Sequence, residues 1–99
     1  MRKRRIVYTH ASIQDRSDIS EWLVSKASRD VARRFDRRIV GRIKGLQYGS
    51  ERGTVRDDAL QIRVIGILPT VAIAFTVEED TVIIHRILHN GQNWESEDS

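Results

Sequence analysis

A helical repeat of apolar residues in the middle of the chain constrains the fold more than any other feature. Apolar side chains recur there at steps of three and four, which is the spacing of one face of an α-helix. The repeat consists of Val31, Ala32, Phe35, Ile39, Ile43 and Leu46, and Ser28 is a suitable start. The opposite face carries Arg33, Arg34, Arg37 and Arg38. Because such a helix must bury its apolar face, the repeat predicts a second layer packed against it.

After this helix the spacing changes to alternation, which indicates β-strands. Three strands are expected, in the stretches LQIRV, TVAIAFTV and TVIIHRIL, and the polar EED forms a hairpin tip between the last two. Gly66 and Pro69 interrupt the chain between the first two strands. Within the first strand, we expect Leu60, Ile62 and Val64 on one face and Arg63 on the other. The three strands predict an antiparallel meander.

The amino-terminal third is predicted to form one strand and one helix. RIVYT, from Arg5 to Thr9, has the β-branched and aromatic composition of a short strand. Ser12 is expected to cap the following helix, with Asp15 as a weak capping-box partner, and the helix should end near Lys26. Its apolar stripe is expected to comprise Ile19, Trp22, Leu23 and Ala27.

Together these elements predict an α+β fold with an N-terminal strand, a helical hairpin and a three-stranded antiparallel meander, the helices lying on one face of the sheet. The length of 99 residues suits one domain covering residues 1–99. Residues 1–4 and 95–99 are expected to be mobile tails.

Composition excludes several classes of protein. The chain has no cysteine, so disulfide frameworks and thiolate metal sites are absent. No apolar run approaches the roughly 18 residues of a membrane span, and the basic MRKRR start leads into only three apolar residues, unlike a secretory signal. We therefore expect a cytoplasmic protein without a membrane partner. Its net charge of +3 is concentrated in the start and the second helix, which suits either an acidic partner or plain solvation.

The chemical candidates are histidines and arginines within the last strands. His85 and His89 could share a metal ion on a helix, but four residues along a strand span about 13 Å, so we expect no metal site. The loop GSERG lacks the lysine of a phosphate loop, and no cofactor motif is present. Arg63 and Arg86 lie in apolar strands, where they either bind a partner or lay their stems across the sheet with solvated heads.

Several stretches, in their order and spacing, resemble the ParE/RelE superfamily of toxins from type II toxin–antitoxin systems. They are IVYTHASIQDRSDISEWL, ARRFDRRIVGRIKGL, LQIRV and TVAIAFTVEEDTVIIHRILHNGQNWE, and together they cover nearly the whole chain. The proline usual in the family after the second helix is absent, since Gly49 follows Tyr48 directly.

The resemblance implies two competing functions. RelE-like members are ribosome-dependent messenger-RNA endoribonucleases, and on that alternative Arg63, Arg86 and His89 would be the catalytic residues. Gln92, however, stands where the family often carries arginine, and no tyrosine follows Tyr48. ParE-like members inhibit DNA gyrase by binding and are not enzymes. On that interpretation the target-binding residues are His89, Asn90, Gly91, Gln92, Asn93 and Trp94.

The ParE-like interpretation is our first hypothesis, and it implies a ParD-like antitoxin as partner. The expected antitoxin-binding residues are Trp22, Arg33, Arg34, Arg37, Arg38 and Arg63. No cofactor and no sequence-specific contact with nucleic acid are expected. A third hypothesis is a structural or regulatory partner module that has lost toxicity, for which the altered tail is the argument. Trp94 itself either docks on a target or folds back over the sheet.

Overall fold

The computed structural model describes residues 3–90, and it confirms the predicted α+β class. The elements are β1 (Arg5–Tyr8), α1 (His10–Lys26), α2 (Arg29–Lys44), a 3₁₀ turn (Gly45–Gln47), β2 (Thr54–Asp57), β3 (Ile62–Leu68), β4 (Val71–Val77) and β5 (Thr81–His89). The polar residues 78–80 form the turn between β4 and β5, as predicted.

The strands form one mixed sheet in the order β1-β5-β4-β3-β2. All neighbouring pairs are antiparallel except β1 and β5, which run parallel. The pairing of β1 with β5 ends at Tyr8 and Ile84, whereas β5 continues to His89. The last part of β5 therefore has an edge that β1 does not cover, and α1 lies against this part of the sheet.

The start of α1 differs from the prediction. Thr9 is the N-cap, because its Oγ1 accepts a hydrogen bond from the Ser12 backbone N–H, while the predicted cap Ser12 is fully buried inside the first turn. The extended backbone of Thr9 at the end of β1 supplies the capping geometry three residues before the expected cap, Ser12. Asp15 is likewise not a capping-box residue, since it bonds to β5. The predicted start of α2 is confirmed, with Ser28 accepting from the Val31 N–H.

The core lies between the helix pair and one face of the sheet. Ile39, Ile43 and Leu46 are fully buried, as the helical repeat predicts. In α1 the expected stripe is wrong at Trp22, which is 42% exposed, and at Ala27, which is exposed. The sheet side of the core consists chiefly of Leu68, Val71, Ile73, Phe75, Val82, Ile84 and Ile87.

A bulge in β5 aligns its apolar residues with this core. Ala74 pairs with Arg86, but the next residue Phe75 pairs with Ile84, so His85 is an extra residue in β5. Ile84 and Ile87 consequently both pack in the core although they are three positions apart.

Two predictions about the middle strands are wrong. The strand β2 was not expected, and it pairs with β3. Gly53 directly precedes β2 and has a φ of +84°, and an added Cβ there would lie 2.6 Å from the Val64 carbonyl oxygen. Leu60 is 62% exposed instead of strand-bound, because Gln61 adopts a φ of 56° and β3 begins only at Ile62.

The expected interruption between the first two strands of the meander is also shifted. The strand β3 continues through Gly66 and ends at Leu68. Ile65 and Ile67 pack against the core, so the alternation places Arg63 on the core side of the sheet instead of the solvent side.

Arg4, which lies in the predicted mobile start, is hydrogen-bonded to two other parts of the domain. Its backbone N–H donates to the Gln47 carbonyl at 2.9 Å, and its Nε donates to the carbonyls of Glu78 and Glu79. Residues 95–99, the other predicted tail, lie outside the described residues. Within residues 3–90, no helix is long and apolar enough to cross a membrane.

Candidate functional site

An open cleft of about 420 Å³ lies between α1 and the end of β5. It is lined by Asp15, Asp18, Ile19, Trp22, Arg86, Ile87, His89 and Asn90. Four of these residues, namely Trp22, Arg86, His89 and Asn90, are sequence-predicted site residues. The cleft therefore brings these four predicted site residues together.

Asp15 on α1 is bonded to β5 through both carboxylate oxygens. Arg86 donates from Nε to Oδ2 at 2.8 Å and from its second guanidinium nitrogen to Oδ1 at 2.9 Å, which is a two-pronged ion pair. The Ile87 backbone N–H also donates to Oδ2 at 2.8 Å. Asp15 thus occupies the edge of β5 that β1 leaves uncovered and satisfies a backbone donor there.

This ion pair limits the ability of Arg86 to act as a catalytic cation. The hydrogen bonds to Asp15 raise the pKa of Arg86 above its usual value, so the guanidinium remains charged. Its charge is nevertheless offset by a carboxylate whose side chain is only 11% exposed. A cation neutralised in this way is less able to stabilise a negative charge that develops on a phosphate.

His89 at the end of β5 contacts aromatic rings from both helices. Its ring centroid lies 5.2 Å from that of Trp22 and 6.0 Å from that of Phe35, both in edge-to-face orientation. Burial lowers the pKa of His89 below its usual value, which favours the neutral imidazole. The chain then turns at Asn90, which has a φ of 55° and donates its backbone N–H to the Thr70 carbonyl. Gly91, Gln92, Asn93 and Trp94, the rest of the expected target-binding set, lie outside the described residues.

Arg63 lies apart from this cleft. It lines a separate cavity of about 420 Å³ together with Arg4, Glu51, Gln61, Val77, Glu78 and Glu79. The RelE-like alternative requires Arg63, Arg86 and His89 as catalytic residues. The structure places Arg86 and His89 in the same cleft and Arg63 in the separate cavity.

His85 and His89 lie on a strand, as predicted, and they have different surroundings. The Nε2 of His85 forms a hydrogen bond with the Thr76 hydroxyl at 2.9 Å. Burial lowers the pKa of His85, against a smaller raising effect of Glu78. Within the described residues 3–90, no cluster of histidine, aspartate and glutamate suited to a metal ion occurs.

The outer face of α2 is cationic, as the sequence predicts. Arg33, Arg34, Arg37 and Arg38 are all exposed. Two of them, Arg34 and Arg38, line a shallow depression of about 270 Å³ together with Val31 and Phe35. This depression adjoins the cleft, because Phe35 also contacts His89.

Sequence reasoning missed the two residues that organise the cleft. The local spacing indicates a helix-capping role for Asp15. It does not reveal the true partners, because they lie 71 and 72 positions away in the chain. Phe35 was assigned only to the core, whereas it is half-buried and links the two helices to β5. Arg86 is the one signal in the sequence for this contact. A charged residue in the middle of an apolar strand requires an acidic side chain nearby.

Comparison with known proteins assigns the chain to a family. A family model described as the ParE toxin of the type II toxin–antitoxin system parDE matches residues 6–94. The chain belongs to the ParE toxin family. It is thus the toxic component of a type II toxin–antitoxin system, and the resemblance inferred from the sequence is confirmed.

A solved structure shares the ParE fold. The chromosomal ParDE toxin–antitoxin system from P. aeruginosa contains a chain that aligns with a TM-score of 0.77 at 18% identity, covering 88% of this chain and 96% of that one. Among curated protein sequences, none is a significant match. The structural likeness supports the fold. The assignment to the ParE toxin family rests on the family model.

Proposed function

We propose that this ParE-family toxin inhibits DNA gyrase by binding it, blocks replication in the cytoplasm and has no catalytic activity of its own. The observation that carries the proposal is the ion pair between Arg86 and Asp15. Cleavage of a phosphodiester requires a base, an acid and a cation that meets the crowded phosphate. Arg86 directs two donors at Asp15 instead, and Arg63 lines another cavity.

The end of β5 supports a binding role. His89 contacts the rings of Trp22 and Phe35, so the end of β5 is held against both helices. The tail that follows carries Trp94, a large amphipathic side chain of the kind enriched at the centre of protein interfaces. His89, Asn90, Gly91, Gln92, Asn93 and Trp94 are therefore the proposed target-binding residues.

A ParD-like antitoxin is the proposed neutralising partner. The structurally similar P. aeruginosa protein belongs to a ParDE system, and an acidic, amphipathic segment would suit the exposed arginines of α2. The proposed contact residues are Trp22, Arg33, Arg34, Arg37, Arg38 and Arg63. Of these, Trp22 and the α2 arginines are exposed, and Arg63 lies at a different part of the surface.

A RelE-type endoribonuclease is the second candidate, because Arg86 and His89 share one cleft. One experiment separates the two functions. Purified toxin is added to gyrase in a DNA supercoiling assay and, in parallel, to translating ribosomes with messenger RNA. We expect inhibited supercoiling with trapped, cleaved DNA and intact messages. Cleaved messages would overturn the proposal, and the absence of both effects would favour a module without toxicity.

The role of the tail is tested with Trp94→Ala. We expect loss of gyrase inhibition with an unchanged melting temperature, because the proposed contact is made with the target. Tyr48→Ala is the matched control, since it removes an exposed aromatic ring outside the proposed target-binding residues and should leave gyrase inhibition unchanged. A large loss of stability in Trp94→Ala would show that this indole covers the domain instead.

The antitoxin interface is tested through its rate of association. Replacing Arg33, Arg34, Arg37 and Arg38 by glutamine should slow association with the antitoxin and reduce its dependence on salt, because long-range attraction is screened beyond about 10 Å at 0.1 M salt. Association of the parent toxin that is indifferent to ionic strength would contradict a role for these charges.

A further inference from the structure

The exposed face of α2 is almost entirely cationic. Seven of its exposed side chains are basic and one, Asp30, is acidic. None of the seven forms an ion pair with another side chain within residues 3–90. The seven are Arg29, Arg33, Arg34, Arg37, Arg38, Arg42 and Lys44. This face therefore presents a concentrated positive charge to any polyanion that approaches it.

The arginines of this face form two rows along the helix. Each row repeats at every fourth residue, which is a step of about 6 Å at the rise of an α-helix. Successive residues advance by about 100° around the helix axis, so the rows are about 140° apart and lie on opposite flanks. The strip between them holds Asp30 at the start of the helix and Gly41 near its end, where an added Cβ would meet nothing within 4 Å. One row is Arg29, Arg33 and Arg37, and the other is Arg34, Arg38 and Arg42.

This arrangement matches the major groove of B-form DNA. The groove is about 12 Å wide and admits an α-helix, whose diameter with side chains is about 10–12 Å. A helix that lies along the groove has the phosphates of one strand on each flank. Each strand carries one phosphate per about 3.4 Å of duplex axis, so a row about 12 Å long can meet two or three of them. Duplex RNA fits less well, because its major groove is deep and narrow.

We propose that α2 binds duplex DNA along the major groove through phosphate contacts alone. Each row of arginines contacts the backbone of one strand, and Asp30 opposes this attraction with a single charge at one end of the helix. Gly41, between the rows, offers the base edges no donor or acceptor. Because phosphate contacts carry no sequence information, the binding is independent of the base sequence.

The DNA contact goes beyond the proposed inhibition of gyrase and does not depend on it. Two consequences do rest on the proposed function. A toxin bound to gyrase would also hold a segment of DNA through α2. An antitoxin bound to the same arginines would exclude DNA from the toxin, because both ligands require the exposed face of this helix.

The salt dependence of DNA binding tests the proposal. The purified toxin is titrated into a fluorescently labelled duplex of about 20 base pairs, and anisotropy gives the Kd between about 50 and 200 mM salt. Six phosphate contacts release the corresponding counterions, so the affinity should fall about a thousandfold over this interval. Replacing Arg33, Arg34, Arg37 and Arg38 by glutamine should reduce the fall to about tenfold, because two arginine contacts remain.

Exposed cations outside α2 provide the matched control. Replacing Lys3, Arg5, Arg52 and Arg56 by glutamine makes the same change in net charge on other parts of the surface. This variant should keep the thousandfold fall in affinity. Far-UV circular dichroism should be the same for the parent and both variants, because all the replaced side chains are exposed.

The two rows are tested separately with two double variants. Arg33→Gln with Arg37→Gln removes two contacts from one row, and Arg34→Gln with Arg38→Gln removes two from the other. Each double variant should reduce the fall in affinity between about 50 and 200 mM salt to about a hundredfold, because four arginine contacts remain.

Four results would overturn the proposal. The first is no binding of the duplex at about 50 mM salt. The second is an equal reduction of the salt dependence in the control variant, which would show that net charge and not α2 attracts DNA. An effect confined to one double variant would show that only one flank meets a strand. Equal affinity for duplex RNA or single-stranded DNA of the same length would exclude the fit to the groove. Because gyrase takes no part in these measurements, failure of the proposed function would leave them intact.

Discussion

The two helices are stabilised in different ways, although they are adjacent and similar in length. The helix α2 buries Ala32, Ile39 and Ile43 and directs its arginines to solvent. The helix α1 buries only Ser12 and Ile19, and its charged residues Asp15 and Arg16 are bonded to other elements. The fold therefore uses Asp15 and Arg16 of α1 as connections to other elements, whereas the arginines of the outer face of α2 are exposed to solvent. This contrast explains why the two helices respond differently to substitution.

The largest effect is expected from the apolar stripe of α2. Ile39 is fully buried, so Ile39→Ala should lower the free energy of unfolding by about 3 kcal/mol or more, through lost burial and a residual cavity. Urea denaturation measures this change. Arg37→Ala on the exposed face is the control and should cost less than about 0.5 kcal/mol. Equal costs for the two variants would contradict the division of α2 into a core face and an exposed face.

The next effect is expected from the acidic connection in α1. Asp15→Ala leaves the Ile87 N–H and the Arg86 guanidinium without their acceptor, which should cost about 2–3 kcal/mol in unfolding free energy. Asp18→Ala makes the same substitution one turn away, where the carboxylate accepts only from the exposed Gln14, and should cost under about 0.5 kcal/mol. Similar denaturation midpoints for both variants would show that Asp15 does not fasten β5.

A smaller effect is expected where α1 meets α2. Arg16 donates two hydrogen bonds to Asp36 at 2.8 and 3.0 Å, and its guanidinium lies 5.4 Å from the centre of the Tyr8 ring. Both charged side chains are 29% exposed, so Arg16→Ala should cost only about 1 kcal/mol. Arg33→Ala on the exposed face of α2 is the comparison in the same denaturation experiment. A loss no greater than that of Arg33→Ala would show that this pair contributes nothing.

The smallest effect concerns pH and the two partly buried histidines of β5. Burial lowers the pKa of His85 and of His89, so the unfolded chain binds protons more readily than the folded one. Stability is therefore fully present above the ordinary histidine pKa of about 6.5 and is lost as the pH falls below it. Denaturation between about pH 7 and pH 5.5 should show this decline, and the double variant His85→Gln, His89→Gln should show less of it. Stability that rises over this interval would contradict the assignment.

The same contrast explains what the sequence could predict. The helix α2 was predicted from Ser28 onward because its apolar repeat and its cap are local signals. The role of Asp15 in α1 could not be predicted in this way, because its ion-pair partner Arg86 is 71 positions away. Trp22 was placed in the core on spacing alone, yet it packs partly exposed against His89, a residue of the last strand. Long-range polar contacts leave no periodic trace in the sequence.

The sheet was predictable to a similar degree. The hairpin of β4 and β5 follows from alternation and a polar tip, and it was predicted correctly. The bulge at His85 and the strand β2 depend on how neighbouring strands align, which alternation within one strand does not specify. Leu60 was misplaced for a related reason, since the left-handed backbone of Gln61 ends the apparent alternation.

The central claim is that Arg86 is a structural cation and not a catalyst, and Arg86→Gln tests it most directly. Glutamine keeps a donor for Asp15 and removes the charge. Killing is measured by viable counts after induction without antitoxin, at matched levels of folded protein. We expect the variant to kill as rapidly as the parent toxin. A loss of activity of about a hundredfold or more, the usual cost of removing a group that stabilises a transition state, would contradict it.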